Sequence, residues 1–133
     1  MIENKLLRIL SFFIFPACVF FFSKFIDMAF DAYVVLPWVD IPMHFLGGIS
    51  IAFTGALFLR LFREKGFISI NRKLLFILVN VSLVALIAIL WEFYEFLKYL
   101  LGINLKSSIE DTLLDLLMGL LGGLIGALIF DRN

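Results

Sequence analysis

The amino-acid sequence predicts an all-α, polytopic integral membrane protein: four transmembrane helices in one bundle, with both termini cytoplasmic. Three observations predict it. Of 133 residues, 63% are hydrophobic and 17 are phenylalanine, with a mean hydropathy of +1.10. A soluble domain of that length has too little interior to hide so much apolar surface. Four apolar stretches are long enough, or nearly so, to cross a hydrocarbon core of about 30 Å. Basic and acidic side chains also separate toward opposite ends of those stretches.

The first predicted span covers about 7–30, with Pro16 as a kink and Lys24 able to snorkel to the interface. Lys5 and Arg8 precede it as in a signal peptide, but no small-x-small cleavage pattern follows, so it reads as a retained helix. Cys18, the single cysteine, excludes an intrachain disulfide and reads as an inert buried thiol in a phenylalanine-rich run. The second span covers about 42–62, with Pro42 tolerable in the first turn. The third covers about 74–101 and the fourth about 112–130, and the one substantial loop is "REKGFISINRK". No linker, low-complexity tract or second domain interrupts residues 1–133, which read as a single bundle.

Lysine and arginine orient the bundle. Lys5, Arg8, Arg60, Arg63, Lys65, Arg72, Lys73 and Arg132 fall on one side, against Lys24, Lys98 and Lys106 on the other. The richer side is expected in the cytoplasm of a cell whose inner (plasma) membrane holds the chain. A formal net charge of zero offers nothing to a nucleic acid. The acids run the other way. Asp27, Asp31, Asp40, Glu92, Glu95, Glu110, Asp111 and Asp115 lie toward the outer ends, and only Glu3, Glu64 and Asp131 lie inside.

Several of these acids have an ordinary structural reading. Asp40 precedes a helix and can satisfy its free amides. Asp111 follows Ser108, and Glu110 follows Ser107, at capping-box spacing. Glu95 can pair with Lys98, and Asp27 and Asp31 can be solvated. Glu92, Asp115 and His44 resist such readings. Glu92 in "WEFYEF" and Asp115 have no basic residue three or four positions away on their own helices, and His44 is the only histidine. An ionised group at the centre of a membrane helix costs roughly 2.5–3.5 kcal/mol on insertion scales, less near the interface. These groups are therefore expected to face one another.

The second and fourth spans also match each other. In "DIPMHFLGGISIAFTGAL" (40–57) and "DTLLDLLMGLLGGLIGAL" (111–128), Asp40 aligns with Asp111, His44 with Asp115 and Gly48 with Gly119. His44, Gly48 and Gly55 share one helical face, as do Asp115, Gly119 and Gly126. Glycine faces let membrane helices approach closely. Packing through them would bring His44 and Asp115 together, with Glu92 completing the cluster.

The segments "DIPMHFLGG" at 40–48, "WEFYEF" at 91–96 and "DTLLD" at 111–115 resemble the YjdF-type inner-membrane proteins. More distantly they resemble the VanZ-like group, named for a teicoplanin-resistance protein. The resemblance covers about residues 37–130 and implies that Asp40, His44, Glu92, Glu95, Asp111 and Asp115 form the characteristic polar set. The VanZ-like pattern differs in carrying glutamine at Glu95 and asparagine at Asp115.

One imidazole with up to five carboxylates is a ligand set for a divalent cation, with Mg²⁺, Mn²⁺ or Ca²⁺ favoured by oxygen and Mn²⁺, Fe²⁺ or Zn²⁺ once histidine joins. Asp40 is expected to hold His44 by its second nitrogen. Three functions follow. One is a metal-dependent enzyme acting on a lipid or lipid-linked envelope molecule, with Glu92 or Asp115 as acid or base. Another is a non-catalytic amphiphile-binding or resistance module. The third, a proton or cation transporter, ranks last because inner halves such as "VSLVALIAIL" offer almost no polar path. Membrane lipids are the expected partners, and a second copy of the chain is a candidate partner.

Overall fold

A computed structural model describes residues 2–103 and 108–131, with side chains from Leu6 onward. Lys106, Ser107 and Arg132, used above for orientation and capping, lie outside the described residues. All the regular structure described is helical. It comprises α1 (Ile2–Ser11), α2 (Ile14–Phe30), α3 (Ala32–Val35), α4 (Asp40–Glu64), α5 (Lys73–Leu100) and α6 (Ile109–Phe130), with a single 3₁₀ turn at Pro37–Val39 before α4.

Among the described residues, three helical segments, not four, are long and apolar enough to cross a membrane: Pro37–Glu64, Lys73–Leu100 and Ile109–Phe130. The first predicted span is instead broken between α1 and α2. Pro16 is the physical reason. It has no N–H for the Phe12 carbonyl, and its ring cannot sit against that carbonyl in a regular turn. The chain turns over Phe12 and Phe13, and the Thr54 hydroxyl of α4 donates to the freed Phe12 oxygen at 2.7 Å. Phe12 is buried and meets Phe58 edge to face at 5.3 Å. The break is thereby fastened to α4. Cys18 is exposed rather than buried. It shares the outward face of α2 with Phe21, Phe22 and Phe25, which are exposed too.

The other ends follow from local sequence. Asp31 adopts φ +48°, ending α2 and starting α3. Gly66 and Gly102 sit at φ +75° and +71° just past α4 and α5. Their amides, with those of Phe67 and Ile103, reach back to the carbonyls of Arg63, Tyr99, Phe62 and Lys98. Those are the paired bonds of a Schellman stop, which requires a left-handed residue. Ser108 caps α6 by accepting from the Asp111 amide at 3.1 Å.

Helix α4 is the centre of the bundle: α6 packs along it most extensively, and α2 and α5 also contact it. Apart from Leu59, its buried residues are small: Gly48, Ser50, Ala52, Thr54, Gly55 and Ala56. Large residues such as Leu78, Leu86, Leu117 and Leu128 point outward. In lipid there is no hydrophobic gain from burying leucine, so helices associate through small faces that allow backbone contact. A Cβ on Gly48 would overlap the Gly119 carbonyl oxygen, and one on Gly122 would overlap that of Phe45. A Cβ on Gly126 would lie 2.8 Å from the Ala52 Cβ. The two helices thus run parallel in close register. Gly55 does not continue this contact; it faces Asn80 and Leu83 of α5.

Neighbouring glycines should therefore respond oppositely to alanine. Gly47 has nothing within 4 Å of an added Cβ, and Gly47→Ala should be neutral or stabilising by up to about 1 kcal/mol from helix propensity. Gly48→Ala should destabilise by about 1–3 kcal/mol through overpacking. Thermal unfolding in detergent, followed by circular dichroism, distinguishes the two.

Candidate functional site

The α4–α6 contact determines which side chains meet at one end of the bundle. Asp40 and His44 lie one turn apart on α4, and the His44 carbonyl is beside Gly119 of α6. One turn before Gly119, Asp115 points back toward the imidazole. His44 Nε2 lies 3.3 Å from Asp40 Oδ1 and 3.8 Å from Asp115 Oδ2. Asp115 is 3% exposed, among the most enclosed charged side chains described.

Glu92 and Glu95 approach from α5. Donor atoms of Asp40, His44 and Asp115 all lie within 4.8 Å of one another, and so do those of His44, Glu92 and Glu95. The imidazole is common to both groups. Asp111 stands apart from them: it is exposed at the start of α6 and lines the adjoining cleft.

Two details depart from the sequence expectation. Asp40 is the first residue of α4, where no side chain caps the helix, and its carboxylate turns to His44 instead. It also faces the same imidazole nitrogen as Asp115, so it adds an oxygen to the cluster rather than holding the ring from behind. Lys98, one turn beyond Glu95, also places its ammonium over the Tyr94 ring, 5.2 Å from its centroid.

The cluster opens into a cleft of about 740 Å³ bordered by α2, α4 and α5. Phe20, Met43, Ile87 and Trp91 contribute apolar walls, while Asp40, His44 and Glu95 give it one polar end. Phe20 and Trp91 meet edge to face at 6.1 Å, bridging α2 and α5. Ser23 and Tyr33 share a hydrogen bond in the same wall. Burial pushes the Tyr33 phenol above its usual value, and this outweighs the opposing effect of the Ser23 bond. Tyr33 is therefore a neutral hydroxyl at physiological pH.

The donor chemistry fits a divalent cation. Carboxylate oxygens and one imidazole nitrogen converge from three helices, a combination that suits Mn²⁺, Fe²⁺ or Zn²⁺.

The sequence reading omitted Asn80. It is fully buried, its amide donates to the Ala52 carbonyl at 3.0 Å, and its Oδ1 rests against Gly55 without a hydrogen-bond partner. An amide inside "LLFILVNVSLVAL" was the available signal. Ser50 and Thr54 are buried at a similar level, with hydroxyls bonded to backbone carbonyls. Thr54 and Asn80 thereby tie separate elements together below the cluster, whereas Ser50 bonds within α4.

The model of the DUF2238 family, described as predicted membrane proteins, matches residues 3–133. The chain belongs to this family. It is the family of the YjdF-type proteins that its motifs resemble. No curated protein and no solved structure matches the chain.

Four carboxylates crowd one imidazole here, so removing one should relieve repulsion. In the presence of a chelator, Asp115→Asn should raise the thermal midpoint, corresponding to about 0.5–2 kcal/mol. A lowered midpoint would mean that attraction between His44 and Asp115 dominates instead.

Proposed function

We propose that this membrane protein binds a divalent metal ion at Asp40, His44 and Asp115, and through it the polar head of a lipid or lipid-linked envelope molecule. Its chain would lie along the cleft beside Phe20, Met43 and Trp91. The observation that carries this reading is the convergence of one imidazole and two carboxylates beside a cleft of about 740 Å³ that has both polar and apolar walls. A membrane amphiphile has the same division between head and tail. The lysine and arginine bias supports a multi-pass protein of the inner (plasma) membrane with this site toward the outer leaflet.

The residues divide the work by position. Asp40, His44 and Asp115 would hold the ion, which when bound supplies charge to polarise a phosphoryl or carbonyl oxygen. Glu92 and Glu95, on the α5 side of His44, are placed to accept a proton if the head group reacts. Trp91 and Phe20 would orient the tail and exclude water from the polar end. Simple capture of the amphiphile, as in a resistance module, needs the same residues without a proton acceptor. The more distant VanZ-like resemblance agrees with an envelope amphiphile as ligand.

Metal analysis of the purified protein tests the reading. The wild-type chain should retain a stoichiometric divalent ion, and Asp115→Asn should lose it while keeping its helical circular dichroism. A protein free of metal after reconstitution with Mn²⁺ or Zn²⁺, or a variant that binds it equally well, would reject the site.

A further inference from the structure

The end of the bundle opposite His44 holds a second cavity, of about 360 Å³, between the last turns of α4, the start of α5 and the residue after α6. Arg60, Arg63, Arg72 and Lys73 line it, with Glu64 and Asp131 as its acids. Each acid already has a cation. Glu64 pairs with Arg8 at 2.9 Å, and Asp131 pairs with Lys73 at 3.1 Å. Arg60 donates to the Phe130 carbonyl and so closes the last turn of α6. Arg63 and Arg72 are left without an acidic partner among the described residues.

Orientation by positive charge does not account for this arrangement. That effect depends on how many lysines and arginines lie on a side, not on whether they converge. Lys65 makes the contrast: it sits in the same loop, contributes the same charge and does not line the cavity. Arg63 and Arg72 reach one recess from opposite sides of the loop. Helix α5 also starts there, with Arg72 extended as its N-cap and no side chain on its first amides. Guanidinium forks match phosphate oxygens, and a helix amino end adds a favourable field for an anion. Basic recesses between transmembrane helices are suited to anionic head groups.

We propose that this cavity is a phosphate-binding site in which Arg63 and Arg72 grip the phosphodiester of an anionic lipid or a free phosphate. The site is separate from the His44 cluster and stands whether or not that cluster holds a metal.

The test uses the full chain purified in detergent. Native mass spectrometry would count lipids retained from equimolar phosphatidylglycerol and phosphatidylcholine, and thermal midpoints would be compared in phosphate and in chloride at matched ionic strength. The wild-type chain should prefer phosphatidylglycerol. R63Q/R72Q should weaken that preference about fivefold for each cation removed, and K65Q should leave it unchanged. A phosphate-dependent rise in midpoint that R63Q/R72Q abolishes, without lipid preference, would assign the site to free phosphate. A wild-type chain with no lipid preference and no phosphate effect would overturn the proposal, and that result requires no variant to fold. Equal losses in K65Q and R63Q/R72Q would overturn it too, by attributing binding to loop charge in general.

Discussion

The backbone contact between α4 and α6 is the constraint on which the rest depends. Gly48 against Gly119, and Gly122 against the Phe45 carbonyl, leave no room for side chains between the helices. That closeness has two consequences. It makes the contact a sum of many short dispersion interactions, the main attraction available where lipid competes for every apolar side chain. It also sets the relative height of the two helices, so His44 and Asp115 arrive at one level. A slip of one turn, about 5.4 Å, would carry Asp115 out of reach of the imidazole.

The polar groups below that contact follow the same economy. A buried backbone carbonyl released by proline has no water to turn to in hydrocarbon. The Phe12 oxygen instead accepts from Thr54, which converts a break in the chain into a tie between α2 and α4. Asn80 does the equivalent on α5 by donating to Ala52. Its oxygen fits only because residue 55 is glycine, since any Cβ there would collide with it. Stability in this bundle therefore rests on small residues and short polar ties, while the large aliphatic and aromatic residues mostly face outward.

That division explains what is legible in the sequence. Helix α5 and helix α6 can be read from hydropathy within a few residues, because an apolar run of that length has few alternatives. The meeting of His44 with Asp115 is also legible, since each stands one turn before a glycine face. The break at Phe12 is harder: Pro16 signals a kink, but its size depends on whether a partner can satisfy the freed carbonyl, and Thr54 is distant in sequence. Hydropathy alone averages across such a break and returns one long span. Asp40 looks like a helix cap because the preceding 3₁₀ turn, which makes capping unnecessary, leaves little trace in composition. Asn80 is lost for a simpler reason, being a single amide surrounded by leucine, isoleucine and valine.

The cluster itself runs against the economy of the bundle. Asp40, Glu92, Glu95 and Asp115 converge on one histidine, while α2 brings Lys24 and Asp27, and α5 brings Lys98, to the adjoining cleft. Arg60 and Lys73 show that the same chain can pair an acid or a helix end with a nearby cation when only stability is at stake. At the opposite end no arginine is supplied, and the small-residue packing carries the cost of holding the acids together. An internal arginine would neutralise the carboxylates permanently, whereas an exchangeable cation neutralises them and still presents open coordination positions to a ligand. The unequal treatment of the two ends is what a binding site requires and a purely structural ion pair does not.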